Sequence, residues 1–375
     1  MRKIVVDGFI YQYVPYGGIA RIYTETLPRL CALDQTVKIV LLVSGQLTQG
    51  LPTHPRIEHR SFPAIDRLIR PTWLFEGVAT HVRAGVQSRW TRGLQEGIWH
   101  STYYTMPKQW SGPIVVTVAD MIYERFPHLF DRPSDYRFRK RKRSAVLAAD
   151  RVLCISKTTE RDVQEVYGVS ASMTRVIPVA CGDVLHVLPP EEDSAVRHRK
   201  PYLLYVGERY HYKGFRTLLE AYSRWRERAD VDLVVVGKDW SPQERRELAE
   251  LGIGATTHVL TEVDDPTLCR LYNRAVGFVY PSLYEGFGIP LLEAMACGCP
   301  IVASRIPSTV EVAGACPIFF EPSDVQSCVA ALDVALSEGR DSDRVRRGIE
   351  QAKRYSWDET ARRTLDVYRE LTSPN

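Results

Sequence analysis

The side chains with the clearest chemical potential lie between residues 280 and 304. Two carboxylates, Glu285 and Glu293, frame a turn that is rich in residues with special backbone geometry: Gly286, Gly288 and Pro290. An apolar run ending at Tyr280 predicts a buried strand before this turn, and a helical pattern and a short strand follow it. The segment therefore predicts a βαβ unit whose turn presents backbone N–H groups at a helix N-terminus, where phosphates and sugar hydroxyls bind.

The two carboxylates allow two interpretations. A glutamate close to a helix N-terminus commonly caps the helix or interacts favourably with its dipole. Glu293, however, lies on a helix face that is otherwise apolar, and a carboxylate buried there is costly unless a partner binds it. A ribose cis-diol offers two O–H donors to one carboxylate and meets that need.

Other candidate residues lie in the first half of the chain. The Gly17-Gly18 turn separates a predicted strand at 2–6 from a predicted helix at 19–33, and it either faces a phosphate or serves backbone geometry alone. Four side chains follow predicted strands at 97–100 and 114–118: His100, Tyr103, Tyr104 and Asp120. Because ligands of open α/β sheets bind at the carboxyl ends of strands, these four are candidates for an acceptor side. A purely structural role is the alternative for His100.

The order of elements predicts the fold class and the domains. Strands alternate with helices of about 10 to 15 residues, which predicts an α/β protein with parallel, doubly wound sheets. We expect a first domain at 1–183, a linker rich in proline and charge at 184–200, and a second domain at 201–355. Residues 356–375 predict a final helix.

Composition excludes several classes of protein. The chain has 375 residues and a formal net charge of +4, which does not indicate a nucleic-acid partner. No apolar run approaches the roughly 20 residues that span a bilayer, and the sequence of the N-terminus is not typical of a signal peptide. The eight cysteines form no CxxC pair, so we expect buried thiols in a reducing, cytoplasmic environment and no zinc site.

Two segments allow a membrane interpretation beside an ordinary one. The basic run from Arg137 to Arg143 predicts either a solvated helix face or a surface that attracts anionic lipid head groups or a pyrophosphate-linked acceptor. Residues 60–95 mix arginines with large apolar side chains. They predict amphipathic helices packed on the first domain or, alternatively, a patch that touches a membrane or a lipid-linked substrate.

The motif around Glu285 and Glu293 resembles the Glu-x7-Glu signature of the family 4 retaining glycosyltransferases. The resemblance covers most of the chain and is densest from 201 to 314. Two segments there match characteristic sequences of the family: YLLYVGERYHYKGFRTLLEAY and YPSLYEGFGIPLLEAMACGCPIVAS. It implies the GT-B architecture, in which two Rossmann-like domains face each other across a cleft, and a final helix at 356–375 that crosses back to the first domain. The second domain would bind a nucleotide diphosphate sugar and the first the acceptor, with no metal or other cofactor.

The resemblance also implies a role for individual residues. Glu293 would hold the ribose hydroxyls, and Glu285 the hydroxyls of the transferred sugar. Lys213 stands at the family's phosphate-binding lysine and, with Glu285, is a candidate catalytic residue. The remaining donor-binding candidates are Gly17, Gly18, Gly207, Arg209, Val263, Gly286, Phe287, Gly288 and Ile289. A lysine and oriented N–H groups can stabilise the leaving diphosphate without a metal.

Two positions depart from the family pattern. The usual phosphate arginine is replaced by Glu208, and Arg209 comes one residue later. Relatives commonly carry His-Asp where this chain has Ala119-Asp120. The missing histidine implies either an inactive relative or a donor that differs where the imidazole would touch it, such as a 6-deoxy sugar.

The expected function is retaining, metal-independent transfer of a hexose, such as mannose or a 6-deoxy sugar, from a GDP-, UDP- or dTDP-linked donor. A saccharide or polyprenyl-linked acceptor in surface polysaccharide or lipopolysaccharide synthesis would receive it, in the cytoplasm or at the inner membrane face. The alternatives are a catalytically impaired protein that binds sugar nucleotides and a nucleotide-sugar epimerase.

Overall fold

The computed structural model describes residues 2–13, 18–44, 50–62, 94, 96–107, 109–189 and 200–372. The chain divides into two compact units. The first contains Met1–Val179 and Trp357–Asn375, and the second contains Ala180–Ser356. Gly17 and most of the segment predicted as helices at 60–95 lie outside the described residues.

The first unit is built on a parallel sheet. Its described strands are β1 (Arg2–Val6), β2 (Val37–Ser44), β3 (Ile57–Phe62), β4 (Ile98–Ser101), β5 (Ile114–Val118), β6 (Arg151–Cys154) and β7 (Thr174–Val176). Their order is β3-β2-β1-β4-β5-β6-β7, and every neighbouring pair is parallel. The central strands are rich in valine and isoleucine and buried, as expected for a sheet that is covered on both faces.

Five helices lie between these strands in the described residues. They are α1 (Ile10–Tyr13), α2 (Gly18–Leu33), α3 (Ile122–Arg125), α4 (Pro133–Leu147) and α5 (Lys157–Tyr167). Local sequence sets the ends of α5: the Ser156 hydroxyl accepts a hydrogen bond from the Thr159 N–H at 2.9 Å, and Gly168 ends the helix in the left-handed conformation.

The second unit has its own parallel sheet. Its described strands are β8 (Tyr202–Val206), β9 (Asp232–Val236), β10 (Thr257–Leu260), β11 (Gly277–Tyr280), β12 (Ile301–Ser304) and β13 (Ile318–Phe320). Their order is β10-β9-β8-β11-β12-β13, so the winding reverses between β8 and β11. Ligands of open α/β sheets bind at such a switch point, outside the carboxyl ends of the strands.

The helices of the second unit cover both faces of this sheet. They are α6 (Phe215–Arg224), α7 (Pro242–Glu250), α8 (Asp265–Arg274), α9 (Ile289–Ala296), α10 (Pro307–Ala313), α11 (Val325–Glu338) and α12 (Asp343–Ala352). Leu203, Val235 and Val279 of the strands pack in one buried cluster with Leu218 of α6 and Leu332 of α11.

The last helix, α13 (Trp357–Thr372), belongs to the first unit. Asp358 accepts a hydrogen bond from Arg29 of α2 at 3.0 Å, and the Thr360 hydroxyl donates to the Pro178 carbonyl at 2.7 Å. The first unit is therefore assembled from both ends of the chain.

The two sheets confirm the predicted parallel, doubly wound α/β class, with some differences in detail. Residues 60–62 belong to strand β3 and not to the helical segment predicted at 60–95. The units divide after Val179, ahead of the predicted end of the first domain at 183. The basic run from Arg137 to Arg143 lies within α4.

Candidate functional site

Two loops lock together at the switch point of the second sheet. Gly214, with φ 64°, follows the short 3-10 turn His211–Lys213 after β8. A Cβ added to Gly214 would lie 1.9 Å from the carbonyl oxygen of Pro281, which follows β11. The Leu283 N–H also donates to the Tyr212 carbonyl at 2.7 Å. Only glycine permits this close approach, which brings the Lys213 turn against the loop that carries Glu285.

Lys213 and Glu285 form an ion pair at this junction. The Lys213 Nζ lies 2.7 Å from the Glu285 Oε1, and the side chains are 22% and 12% exposed. The Ser282 hydroxyl donates to the same oxygen at 2.6 Å. Burial, followed by the charge and hydrogen bond of Glu285, raises the pKa of Tyr280 well above its usual value. The structure thus brings together the two residues predicted to act on phosphate and sugar, with access to solvent.

The N-terminus of α9 lies directly after this ion pair. Gly288 precedes the helix with φ 109°, and Pro290 occupies its first turn. The Phe287 side chain is buried, with its ring centroid 5.6 Å from that of Tyr355. The first N–H groups of a helix have no acceptor within it, and the helix dipole favours an anion there. The predicted donor residues Gly286, Phe287, Gly288 and Ile289 therefore form one continuous backbone segment beside Glu285.

Glu293 is buried about one turn after the N-terminus of α9, with 6% of the residue exposed. Its Oε2 accepts a hydrogen bond from the Tyr272 hydroxyl of α8 at 3.0 Å. Burial and the neighbouring carboxylate raise the pKa of Tyr272 well above its usual value, so the tyrosine remains a donor. This partner stabilises the buried carboxylate that the sequence analysis assigned to ribose hydroxyls.

Arg209 is engaged elsewhere in the second unit. Its Nε lies 2.6 Å from the Glu244 Oε1, and its guanidinium is 4.6 Å from the ring centroid of Trp240. Burial would raise the pKa of Glu244, but hydrogen bonds from Arg209 and Ser241 lower it to about 2. Arg209 also donates to the carbonyl of Lys238. The Arg209 side chain is 6% exposed and paired with these groups, and its role as a phosphate ligand stays a prediction.

The other donor candidates occupy strand ends or helix starts. Gly207 follows β8 with φ 132°, and a Cβ added there would meet no atom within 4 Å. Val263 is half-buried in the loop after β10, two strands away from β8 in the sheet. Gly18 is the first residue of α2 in the first unit, and Gly17 lies outside the described residues.

His100 does not line a surface. It is 3% exposed, and its Nδ1 shares a hydrogen bond with the Tyr368 hydroxyl at 2.5 Å. Its Nε2 lies 2.8 Å from the Thr117 hydroxyl. Burial lowers the pKa of His100 to about 3, so the imidazole is neutral. The histidine joins the first sheet to α13, and its assignment to the acceptor side is corrected to a structural role.

The remaining acceptor-side candidates follow β4 and β5 as predicted. Tyr103 and Asp120 are half-buried, whereas Tyr104 is buried and has φ 61°. Ala119, which stands at the expected histidine, is also buried, and its carbonyl accepts a hydrogen bond from Thr159 at 3.4 Å.

The basic run divides into exposed and buried members. Arg137, Lys140, Arg141 and Arg143 are exposed on α4, whereas Lys142 is 1% exposed and lies 2.9 Å from Glu124. None of the helices in the described ranges is long and apolar enough to cross a membrane. In the same ranges, no three His, Cys, Asp or Glu side chains are grouped as a metal site requires.

Sequence reasoning missed two functional candidates in the first unit, Asp7 and Lys142. Asp7 directly follows β1 and is fully buried, and the signal for it in the sequence is a carboxylate directly after an apolar strand. Lys142 was hidden among the other basic residues of its run, and nothing local distinguishes it from them.

Comparisons with known proteins agree with this geometry. The chain matches the family model of glycosyl transferases group 1 over residues 191–355 and that of Glycosyltransferase Family 4 over residues 16–181. The O-antigen chain mannosyltransferase B of Escherichia coli is 27% identical over 378 residues, which covers 95% of this chain and 97% of the relative.

Solved structures resemble the whole chain. Sucrose-phosphate synthase from Thermosynechococcus elongatus aligns with a TM-score of 0.78 at 18% identity and covers 99% of both chains. Anabaena Alr3699/HepE in complex with UDP aligns with a TM-score of 0.74 at 15% identity, covering 99% of this chain and 100% of that one. These likenesses confirm the predicted GT-B architecture.

Proposed function

Because this chain belongs to the family 4 glycosyltransferases, we propose that it transfers a hexose from a nucleotide diphosphate sugar to a saccharide or lipid-linked acceptor. The observation that carries this proposal is the ion pair of Lys213 and Glu285 at the N-terminus of α9, on the switch point of the second sheet. A cation, a carboxylate and a row of backbone N–H groups there suit a ligand that combines phosphates with sugar hydroxyls.

In the proposed reaction, the anomeric C–O bond of the donor breaks and negative charge develops on the leaving diphosphate. Lys213 and the N–H groups at Gly288 and Ile289 stabilise that charge, so no metal is required. Glu285 accepts hydrogen bonds from the hydroxyls of the sugar, and Glu293 holds the ribose. The leaving phosphate takes the proton of the acceptor hydroxyl, which attacks from the same face, so the anomeric configuration is retained.

Mannose is the first candidate for the sugar, because the relative that matches nearly the whole chain is an O-antigen chain mannosyltransferase. That relative also favours a growing saccharide of surface polysaccharide as the acceptor. The nucleotide base of the donor is also part of the proposal. GDP suits a mannosyl donor, whereas a similar structure was solved with UDP. A 6-deoxy sugar is the second candidate, because Ala119 replaces the histidine expected beside the sugar.

A panel of nucleotides and variants tests the proposal. In a thermal-shift assay with GDP, UDP, dTDP and their sugars, the donor of this protein should raise the melting temperature more than the others. A ligand that binds only the folded state stabilises it against unfolding. In Glu285→Gln and Lys213→Met, sugar transfer should fall by about 100-fold or more while the fold persists. Glu350→Gln, which changes an exposed glutamate of α12, is the matched control and should retain activity.

Other outcomes would identify the alternatives. Nucleotide binding without transfer to any acceptor pool would favour an impaired sugar-nucleotide-binding protein. Interconversion of nucleotide sugars without transfer would indicate an epimerase.

We also propose that three of the exposed members of the basic run approach an anionic membrane that carries a lipid-linked acceptor. Arg137, Lys140 and Arg143 would each be attracted to anionic head groups by about 1 kcal/mol near the surface. Co-sedimentation with vesicles of anionic lipid tests this contact, which should disappear when all three become glutamine. Equal binding of the triple variant would contradict it.

A further inference from the structure

A strained loop lies at the C-terminal end of β4. Tyr104 has φ 61° and is buried, and a bulky residue in this left-handed region is a genuine outlier. Such strain persists only where the surroundings over-determine the backbone, and it concentrates at functional sites.

The surroundings of this loop are dominated by Asp7. Its carboxylate accepts hydrogen bonds from the Ser101 hydroxyl at 2.9 Å, from the Thr102 N–H at 2.9 Å and from the hydroxyls of Thr102 and Thr105. The indole N–H of Trp99 also donates to the Thr105 carbonyl at 3.1 Å. These bonds fix both ends of the loop that carries Tyr103 and Tyr104.

A second loop, which follows β5, is fixed from α4. The Lys142 Nζ donates to the Asp120 carbonyl at 2.6 Å and to the Glu124 carboxylate at 2.9 Å. The Tyr167 hydroxyl donates to the other oxygen of Glu124 at 2.7 Å. Buried charges require such complete pairing, and breaking one member would leave an uncompensated charge.

The two fixed loops meet at an aromatic cluster. The ring centroid of Tyr103 lies 5.4 Å from that of Phe138, which in turn lies 4.7 Å from Tyr123. The guanidinium of Arg141 lies 5.5 Å from the centroid of Tyr103. Burial raises the pKa of Tyr103, while the nearby charges of Arg141 and Asp120 act on it in opposite directions. The partly exposed rings of Tyr103 and Phe138 thus have the Arg141 guanidinium beside them. Asp120 lies in the loop after β5, where its carboxylate accepts a hydrogen bond from the Ile122 N–H at 3.0 Å.

We propose that Tyr103, Phe138, Arg141 and Asp120 form a saccharide-binding subsite for the acceptor. One face of a pyranose presents C–H groups that stack on an aromatic ring, and its hydroxyls both donate to a carboxylate and accept from a guanidinium. An acyl chain would use neither charge, and a phosphate would be repelled by Asp120. Asp7 and Lys142 are positioning residues, which hold the two loops before the sugar binds and so reduce the ordering cost of binding. This inference rests on the proposed transferase function.

Binding of an α-linked mannobiose by calorimetry, with GDP present, tests the subsite independently of turnover. The wild-type chain should bind the disaccharide, and Tyr103→Leu should weaken binding by about tenfold or more. Tyr103→Phe keeps the ring and should remain within about twofold of the wild type. Tyr136→Leu, on the same helix as Phe138 but 63% exposed, is the matched control and should bind like the wild type.

The same variants are then compared in steady-state transfer. Tyr103→Leu should raise the acceptor KM while the donor KM and the GDP-induced thermal shift stay unchanged. The positioning role of Lys142 is tested by the double variant Lys142→Met with Glu124→Gln, which should raise the acceptor KM and leave the donor KM unchanged.

Each negative result of these experiments leads to a different conclusion. No mannobiose binding by the wild type, or equal binding by Tyr103→Leu, would overturn the subsite. If the acceptor KM and the donor KM both rise in the double variant Lys142→Met with Glu124→Gln, the result overturns the positioning role. It would indicate that the protein is destabilised in general. Tyr103-dependent disaccharide binding without any sugar transfer would support the subsite while contradicting the proposed function.

Discussion

In the proposed reaction, Lys213 and Glu285 combine two tasks in one ion pair. Their side chains are 22% and 12% exposed, so the pair is not fully removed from solvent. A diphosphate can therefore compete with Glu285 for the ammonium, and the displaced carboxylate is then available to sugar hydroxyls. An ion pair that was fully buried would resist this exchange, because separating it would expose an uncompensated charge.

His100 provides a prediction at the scale of one residue. Burial lowers its pKa to about 3, whereas an unfolded histidine titrates near pH 6.5, about the model-peptide value. The unfolded chain therefore binds the proton first as the pH falls. The contribution of His100 to the free energy of unfolding is complete above about pH 6.5 and declines below it, by about 2 kcal/mol between pH 7 and pH 5.

Urea unfolding at pH 7 and pH 5 measures this decline. His100→Asn should be less stable at pH 7 but should lose less stability on acidification than the wild type. His128→Asn, which changes an exposed histidine, is the control and should follow the wild type. An unchanged pH dependence in His100→Asn would contradict the assignment.

Residues inside a motif of the family were predictable as candidates, and residues fixed by a partner outside any motif were not. Lys213 and Glu285 are 72 positions apart, but each lies in a segment that resembles the family, so both were candidates from the sequence. Arg209 is paired with Glu244, 35 positions away, and His100 with Tyr368, 268 positions away. Nothing near either residue in the sequence indicates such a partner, so their structural roles became clear only in the fold.

At the scale of elements, the site depends on the contact between the loops after β8 and β11. The strands were predictable because they are short apolar runs between glycine and proline. Strand β3 (Ile57–Phe62) was missed because its sequence, IEHRSF, lacks such a run, and β13 (Ile318–Phe320) was missed because it is only three residues long. Neither of these edge strands carries a candidate donor residue.

Gly214→Ala should break the contact between the two loops. The added Cβ would lie 1.9 Å from the backbone oxygen of Pro281, so the Lys213 turn must move away from Glu285. We expect the rate of sugar transfer to fall by about tenfold or more, because about an ångström of misplacement has such effects. The nucleotide-induced thermal shift should also become smaller.

Gly168→Ala is the matched control for this change. Gly168 has φ 69°, similar to Gly214, but a Cβ there would meet no atom within 4 Å. It should cost about 1 kcal/mol of stability from backbone strain and leave transfer intact. Equal activity losses in both variants would show that the close approach at Pro281 is unimportant.

At the scale of the whole molecule, the first unit needs both ends of the chain. Helix α13 supplies Tyr368 to His100 and packs on α2, whereas Lys213, Glu285 and Glu293 of the predicted donor site lie within Ala180–Ser356. The packing of the final helix on α2 could not be derived from periodicity, because an amphipathic pattern does not specify which surface it covers.

Truncation after Ser356 should therefore affect the units differently. The first unit should lose stability because the hydrophobic surface under α13 becomes exposed, while nucleotide binding by the second unit should persist. Calorimetric titration with GDP, beside circular dichroism of the truncated chain, measures both. Loss of nucleotide binding together with a fully retained fold would contradict this division.

The most direct test of the central claim is the anomeric configuration of the product. The protein is incubated with a sugar nucleotide selected by thermal shift and with an oligosaccharide acceptor, and the new linkage is determined by NMR. We predict one nucleoside diphosphate released per glycosidic bond, a linkage with the anomeric configuration of the donor, and a loss of transfer of about 100-fold or more with Glu285→Gln. An inverted linkage, or undiminished transfer by Glu285→Gln, would contradict the account.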